Sequence, residues 1–247
     1  MSGHSHWATI KHKKAATDAK KGKLFSKLAK DIIMAAQQGG GDPDANFSLR
    51  AAIDAAKAAN VPKDNIERAI KRGTGELPGI TYERLTYEGY GPHGVALLVD
   101  VVTDSRNRTA SELRKIFSTR GGKMEGSVAW MFEAKGLITL PADAIGEEEL
   151  MELVLNAGAD DLVRSGETYE ITTSPQQFTS VKQALLDKGL TPEVAELTRL
   201  PQQLIKLEGE AAQKVMNLLE ELEDHDDVQN VYTNFDAQAQ AEAAAAK

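Results

Sequence analysis

The chain has 247 residues, 41% hydrophobic and 27% charged, with no cysteine and a formal net charge of −8. That length allows more than one core and the composition is that of an ordinary globular protein, while the lack of cysteine excludes disulfides, thiolate metal sites and a cysteine nucleophile. No run approaches the roughly 18 apolar residues of a membrane helix and no signal-peptide core opens the sequence, so a cytoplasmic protein without a membrane partner is expected.

The charge is unevenly placed. Residues 1–30 hold Lys11, Lys13, Lys14, Lys20, Lys21, Lys23, Lys27 and Lys30 against Asp18 alone, a balance of +7 that leaves −15 for the rest. The stretch "HWATIKHKKAATDAKKGK" interleaves Trp7 and two of the segment's three histidines with lysine, and its low apolar content predicts an arm that settles on a partner. Phe25, Leu28, Ile32 and Ala36 then recur at helical steps. Extended back through Gly22, that helix gathers Lys20, Lys23, Lys27 and Lys30 into one sector opposite the apolar stripe, predicting an outward lysine ridge. Gly39 to Gly41 stop it. Asp42-Pro43-Asp44 suits the entry to a second helix that runs to about Ala59 and buries Leu49, Ile53 and Ala56. Pro62 opens a third, "PKDNIERAIKR", which places Lys71 and Arg72 at the favourable end of its dipole, with Gly73 as terminator.

After "GTGELPG" the pattern turns to strands. "ITYERLTYEGYGPHGVALLVDVVTD" reads as a hairpin around a Gly-Pro turn, "SRNRTASELRKIFSTRGG" as a helix and "GSVAWMF" as a strand. From Lys135 to Arg199 the order is strand, helix (about 147–156), strand, "SGE" turn, strand, helix (about 175–188), strand, a βαββαβ ferredoxin-like pattern. A helix at about 208–223 and the strand "VQNVYTNF" remain to complete the sheet begun at Ile80. The expected fold class is therefore α+β: an N-terminal three-helix bundle followed by two ferredoxin-like α+β domains, the third inserted in the second. The expected boundaries are 1–76, 77–134 with 205–237, and 135–204, followed by a frayed Ala-rich tail at 238–247.

Concentrated lysine in an otherwise anionic chain points to phosphate. The candidate nucleic-acid-binding residues are Trp7, Lys11, Lys13, Lys14, Lys20, Lys21, Lys23, Lys27 and Lys30, with Trp7 able to stack on a base or to fill a gap in the bundle. Lysine is a point charge, so affinity without strong sequence preference is expected. "GGGDPDANFSLR" lacks the strand and the G-K-[ST] ending of a phosphate loop. His4, His6 and His12 lack a carboxylate to complete a metal site, and "EDHDD" at 223–227 reads as a solvated turn. No nucleophile elbow or acid–base pair appears, so no catalytic residue, metal or cofactor is expected. Asp104 or Ser105 can cap the helix of "TDSRNRTASELRK". Arg106 and Arg108 sit against the dipole there, which calls for an anion, either an internal carboxylate or an external phosphate. Tyr87, Tyr90 and His93 lie at or near a hairpin tip that reads either as a recognition loop or as a plain turn.

These stretches resemble the YebC family, bacterial relatives of the mitochondrial translational activator of cytochrome oxidase. "GHSHWATIKHKKAATDAKKGKLFSKLAKDI", "GGGDPDANFSLRAAIDAAKAANVPKDNIERAIKRG", "YEGYGPHGVALLVD", "TDSRNRTASELR" and "GSVAWMF" carry the likeness across nearly the whole chain. His93 stands where glycine is common in the "GYGP" loop, and the connection "GGKMEGS" is short. The resemblance implies a three-domain, non-enzymatic, DNA-binding transcriptional regulator. The mitochondrial relative implies the alternative, translation regulation through ribosomal RNA at the ribosome. In either case the basic N-terminal segment is the nucleic-acid surface, and the acidic α+β domains are open to a protein partner.

Overall fold

The structure, a computed structural model, describes residues 18–236, with side chains from Lys21 onward. Trp7, Lys11, Lys13, Lys14, the three N-terminal histidines, the side chain of Lys20 and the Ala-rich tail lie outside the described residues. The chain divides into two compact units, residues 18–126 with 214–231, and residues 127–213 with 232–236.

The first unit begins with three helices, α1 (Asp18–Gly39), α2 (Phe47–Ala58) and α3 (Lys63–Gly73). Their shared core holds Ile32, Ile33 and Ala36 of α1, Leu49, Ile53 and Ala56 of α2, and Ile66 and Ala69 of α3, with Phe25 and Leu28 packed at its margin. Asn46 joins the first two helices. Its Oδ1 accepts the Leu49 N–H at 3.1 Å as the N-cap of α2, and its Nδ2 donates to the carbonyls of Ala35 (2.8 Å) and Gly40 (2.9 Å) at the end of α1. One side chain thereby satisfies orphan groups of two helix ends. α3 ends at Gly73 as expected, and this glycine also allows close approach, because a Cβ there would lie 2.6 Å from the Ile33 carbonyl and 2.7 Å from Ala36 Cβ.

The same unit continues with β1 (Glu83–Tyr90) and β2 (Ala96–Thr103), antiparallel from Glu83 opposite Thr103 to Tyr90 opposite Ala96. After α4 (Arg106–Thr119) the chain leaves, to return as the last part of α7 (Gly209–Glu223) and as β8 (Val228–Thr233), which completes the sheet order β1-β2-β8. At the hairpin tip His93 adopts φ 60°, a left-handed conformation inside a single 3-10 turn, Pro92–Gly94.

The second unit is built on β3 (Phe132–Pro141), α5 (Glu147–Asn156), β4 (Ala159–Ser165), β5 (Thr168–Thr173), α6 (Phe178–Asp187) and β6 (Val194–Pro201). Its sheet is antiparallel in the order β4-β5-β3-β6, the ferredoxin-like arrangement. Leu150 and Val154 of α5 and Val181 and Leu185 of α6 share a core with Ile138, Leu140, Tyr169 and Ile171 of the sheet. Short parallel strands β7 (Ile205–Lys206) and β9 (Phe235–Asp236) pair beside it. The architecture is α+β, as the sequence pattern implies. Two elements differ. The expected strand "VQNVYTNF" is divided, its first six residues forming β8 and Phe235 pairing with β7 as part of β9. "GSVAWMF" is not a strand, since Ala129–Met131 forms a 3-10 turn and β3 begins only at Phe132. Its apolar residues suit a strand, but Trp130 stays 66% exposed and donates Nε1–H to the Ser127 carbonyl at 3.1 Å.

Candidate nucleic-acid interface

Helical periodicity places Lys23, Lys27 and Lys30 on one side of α1, and there the side chains meet the turn between α7 and β8. Lys23 Nζ donates to the Asp224 carbonyl at 2.8 Å and lies 3.4 Å from its carboxylate. Lys27 Nζ donates to the Glu223 carbonyl at 2.6 Å. Lys30 Nζ donates to Asp227 Oδ1 (2.7 Å), the Asp226 carbonyl (2.9 Å) and the Val102 carbonyl (3.3 Å), so all three of its protons are used. Lys30 is only 8% exposed and also sits 5.6 Å from the centre of the Tyr82 ring. The outward ridge is thus corrected at Lys30, which is an internal ion-pair partner, and Lys27 is half-buried against the same turn. Lys21 is exposed.

The acidic turn is solvated at Asp224 and Asp226, as expected, but the reading is corrected at Asp227, which is a buried receptor. Asp227 is 4% exposed and receives Lys30, Arg108 Nη2 (2.6 Å) and the Thr109 hydroxyl (2.7 Å). Burial opposes its charge, but the hydrogen bonds from Lys30, Thr109 and Arg108 prevail and hold its carboxyl well below the usual carboxylate range. Arg108 also reaches Asp104 at 2.9 Å, and its hydrogen bonds to Asp227 and Asp104 raise its already high pKa. His225 accepts the Asp227 N–H through Nδ1 at 3.1 Å, which leaves Nε2 to carry the proton toward Glu112 Oε2 at 3.0 Å. The anion that Arg108 calls for is therefore internal. Ser105 is the N-cap residue of α4 but makes no side-chain capping bond. Among the described residues no three His, Asp or Glu side chains are grouped to hold a metal ion. Among them, too, no helix is long and apolar enough to cross a membrane.

Residues 5–76 match the description "TACO1/YebC protein N-terminal domain", and residues 82–235 match "TACO1/YebC second and third domain". The chain belongs to the TACO1/YebC family. A relative from Natranaerobius thermophilus, named a probable transcriptional regulatory protein, is 57% identical over 241 residues and 96% of each chain. One of the same name from Acidobacterium capsulatum is 57% identical over 246 residues, covering 99% of this chain and all of that one. Among solved structures, a conserved hypothetical protein of Aquifex aeolicus is 49% identical, with a TM-score of 0.82 over 94% of this chain and 96% of that one.

Within this family member, sequence reasoning located the lysine segment but missed its partner, the turn at 223–227. The available signal was complementarity between two charge clusters, +7 at the front and "EDHDD" near the end, and neither cluster identifies the other without the fold.

Proposed function

We propose that the chain is a non-enzymatic nucleic-acid-binding regulator of gene expression, acting in its leading form on DNA as a transcriptional regulator. The observation that carries this is the gathering of eight lysines into the first thirty residues of a chain whose remainder carries −15. The turn at 223–227 engages Lys23, Lys27 and Lys30. The phosphate-binding set is Trp7, Lys11, Lys13, Lys14, Lys20 and Lys21, with the half-exposed Lys23 at its edge. Lys27 and Lys30 are left out, because their ammonium groups hold α1 in place. The names of the relatives support the transcriptional form.

A second form, binding to ribosomal RNA as a translation regulator, is favoured by the docking of α1. Its apolar side is in the bundle core and its Lys27 and Lys30 side is against a protein turn, so it is poorly placed to lie in a major groove. Recognition by shape and phosphates suits folded RNA.

The test is binding of the intact protein to duplex DNA and to folded RNA across a salt series. Changing Lys11, Lys13, Lys14, Lys20 and Lys21 to Gln reduces the log–log salt slope by about 3–5 if all five meet phosphate. Equal binding by variant and wild type at low salt overturns the proposal. Gradient sedimentation of lysate separates the two forms, since migration with ribosomes that high salt abolishes defeats the DNA form.

A further inference from the structure

A second cationic concentration lies far from the N-terminal segment. Residues 105–124 contain Arg106, Arg108, Arg114, Lys115, Arg120 and Lys123 against Glu112 alone, in a chain of net −8. Half of these cations have internal work. Arg108 holds Asp227, Arg120 pairs with Glu221, and Lys123 lies 3.5 Å from Glu125. Arg106, Arg114 and Lys115 are exposed and have no ion pair with any described residue.

Arg114 and Lys115 belong to one surface of α4. Thr109, Ala110, Leu113 and Phe117 form its buried side. At about 100° per residue, Arg114, Asn107, Ser118, Ser111 and Lys115 follow one another around the opposite side, all exposed and without a carboxylate or a large apolar side chain. Glu112, at the margin of this arc, is taken by His225 and Arg108. Arg106, in the first turn, lies at the azimuth of the buried Leu113 and Phe117 and is not part of this arc. Tyr87 of β1 meets the first turn of α4. Its hydroxyl donates to the Arg106 carbonyl at 3.3 Å. Burial, and to a lesser degree Glu83, push the Tyr87 phenol up while Arg106 and Arg114 pull it back.

We propose that the outer face of α4 is a second nucleic-acid contact, in which Arg114 and Lys115 take backbone phosphates while Asn107, Ser111 and Ser118 supply hydrogen bonds to phosphate and sugar. This rests on the nucleic-acid reading above and adds a surface to it. Arginine grips a phosphate through two parallel N–H donors, which lysine cannot do. A protein partner would need a buried apolar or aromatic anchor at the centre of the face, and the arc contains none. Phosphate contacts of this kind set orientation rather than sequence choice.

The experiment compares wild type, R114Q/K115Q, the charge-preserving R114K/K115R and the arm variant K11Q/K13Q/K14Q. Each intact protein binds a labelled DNA duplex and a labelled RNA hairpin across a potassium chloride series, with thermal melting alongside. The neutral α4 variant has a log–log slope shallower by about 1–2, the charge-preserving variant keeps the wild-type slope, and the melting temperatures agree. A neutral α4 variant that binds as wild type does, while the arm variant is impaired, overturns the α4 surface and leaves the nucleic-acid reading standing. An equal loss in the charge-preserving variant also overturns it, because the effect is then structural. Wild-type protein that binds neither probe at low salt removes the reading itself, and the α4 surface with it.

Discussion

At the residue scale, Asp227 gathers more of the first unit than any other polar side chain described above. It accepts from α1 through Lys30 and from α4 through Arg108 and Thr109. Changing Asp227 to Ala leaves Lys30 buried without its counter-charge and costs about 3–5 kcal/mol in urea unfolding. Lys30→Met costs less, because Arg108 and Thr109 still compensate the carboxylate. Because the folded carboxyl lies below its unfolded value, its contribution is full above about pH 4 and is lost as pH falls through the folded pKa. Wild-type stability therefore falls more steeply than that of Asp227→Asn on acidification below about pH 4, and parallel profiles would remove Asp227 from this role. His93 offers the opposite sign. A non-glycine residue at φ 60° carries left-handed strain, so His93→Gly leaves stability unchanged or raises it by up to about 1 kcal/mol in thermal melts. The hairpin tip was visible in "GYGPHG", whereas the Asp227 cluster was not. Turn chemistry is local, but a carboxylate in "EDHDD" reveals its burial only when elements distant in sequence converge on it.

At the scale of elements, helical spacing was informative wherever burial followed it. The expected buried set of α2 is the observed one, and α5 spans the expected residues, because each packs one stripe against one core. Periodicity placed Lys23, Lys27 and Lys30 on a common side of α1 but could not say what stood opposite. "GSVAWMF" failed for a related reason. Strand propensity measures fit to a half-buried pleated surface, and residues 126–131 find no strand to pair with. The α1–α3 contact gives a direct test. Gly73→Ala improves helix propensity by about 1 kcal/mol, yet the new Cβ meets the Ile33 carbonyl and Ala36. Thermal melting is expected to show a net loss of about 1–2 kcal/mol, and a stabilised variant would mean that the helices can move apart at little cost.

For the whole molecule, the excess of negative charge outside the first thirty residues is partly neutralised from within. Lysines 23, 27 and 30 bond the turn at 223–227, and Arg84 meets Asp31 at 2.6 Å between β1 and α1. The positive potential offered to a polyanion is then smaller than the lysine count suggests. Changing Lys23 and Lys27 together to Gln is expected to lower unfolding stability while shifting the salt slope of nucleic-acid binding by less than about 1, a smaller change than the five-lysine variant produces. A shift near 2 would show that both ammonium groups leave the turn for phosphate.

The partners in the Lys30–Asp227 bond are 197 positions apart, and synthesis runs at about 5–20 residues per second. For about 10–40 seconds after its translation, each nascent copy carries Lys30 without the carboxylate that will enclose it. The helical bundle can collapse early, but its attachment to the turn must wait for the last part of the chain. Limited proteolysis of purified chains ending before and after residue 227 would register that dependence as a gain in protection around α1.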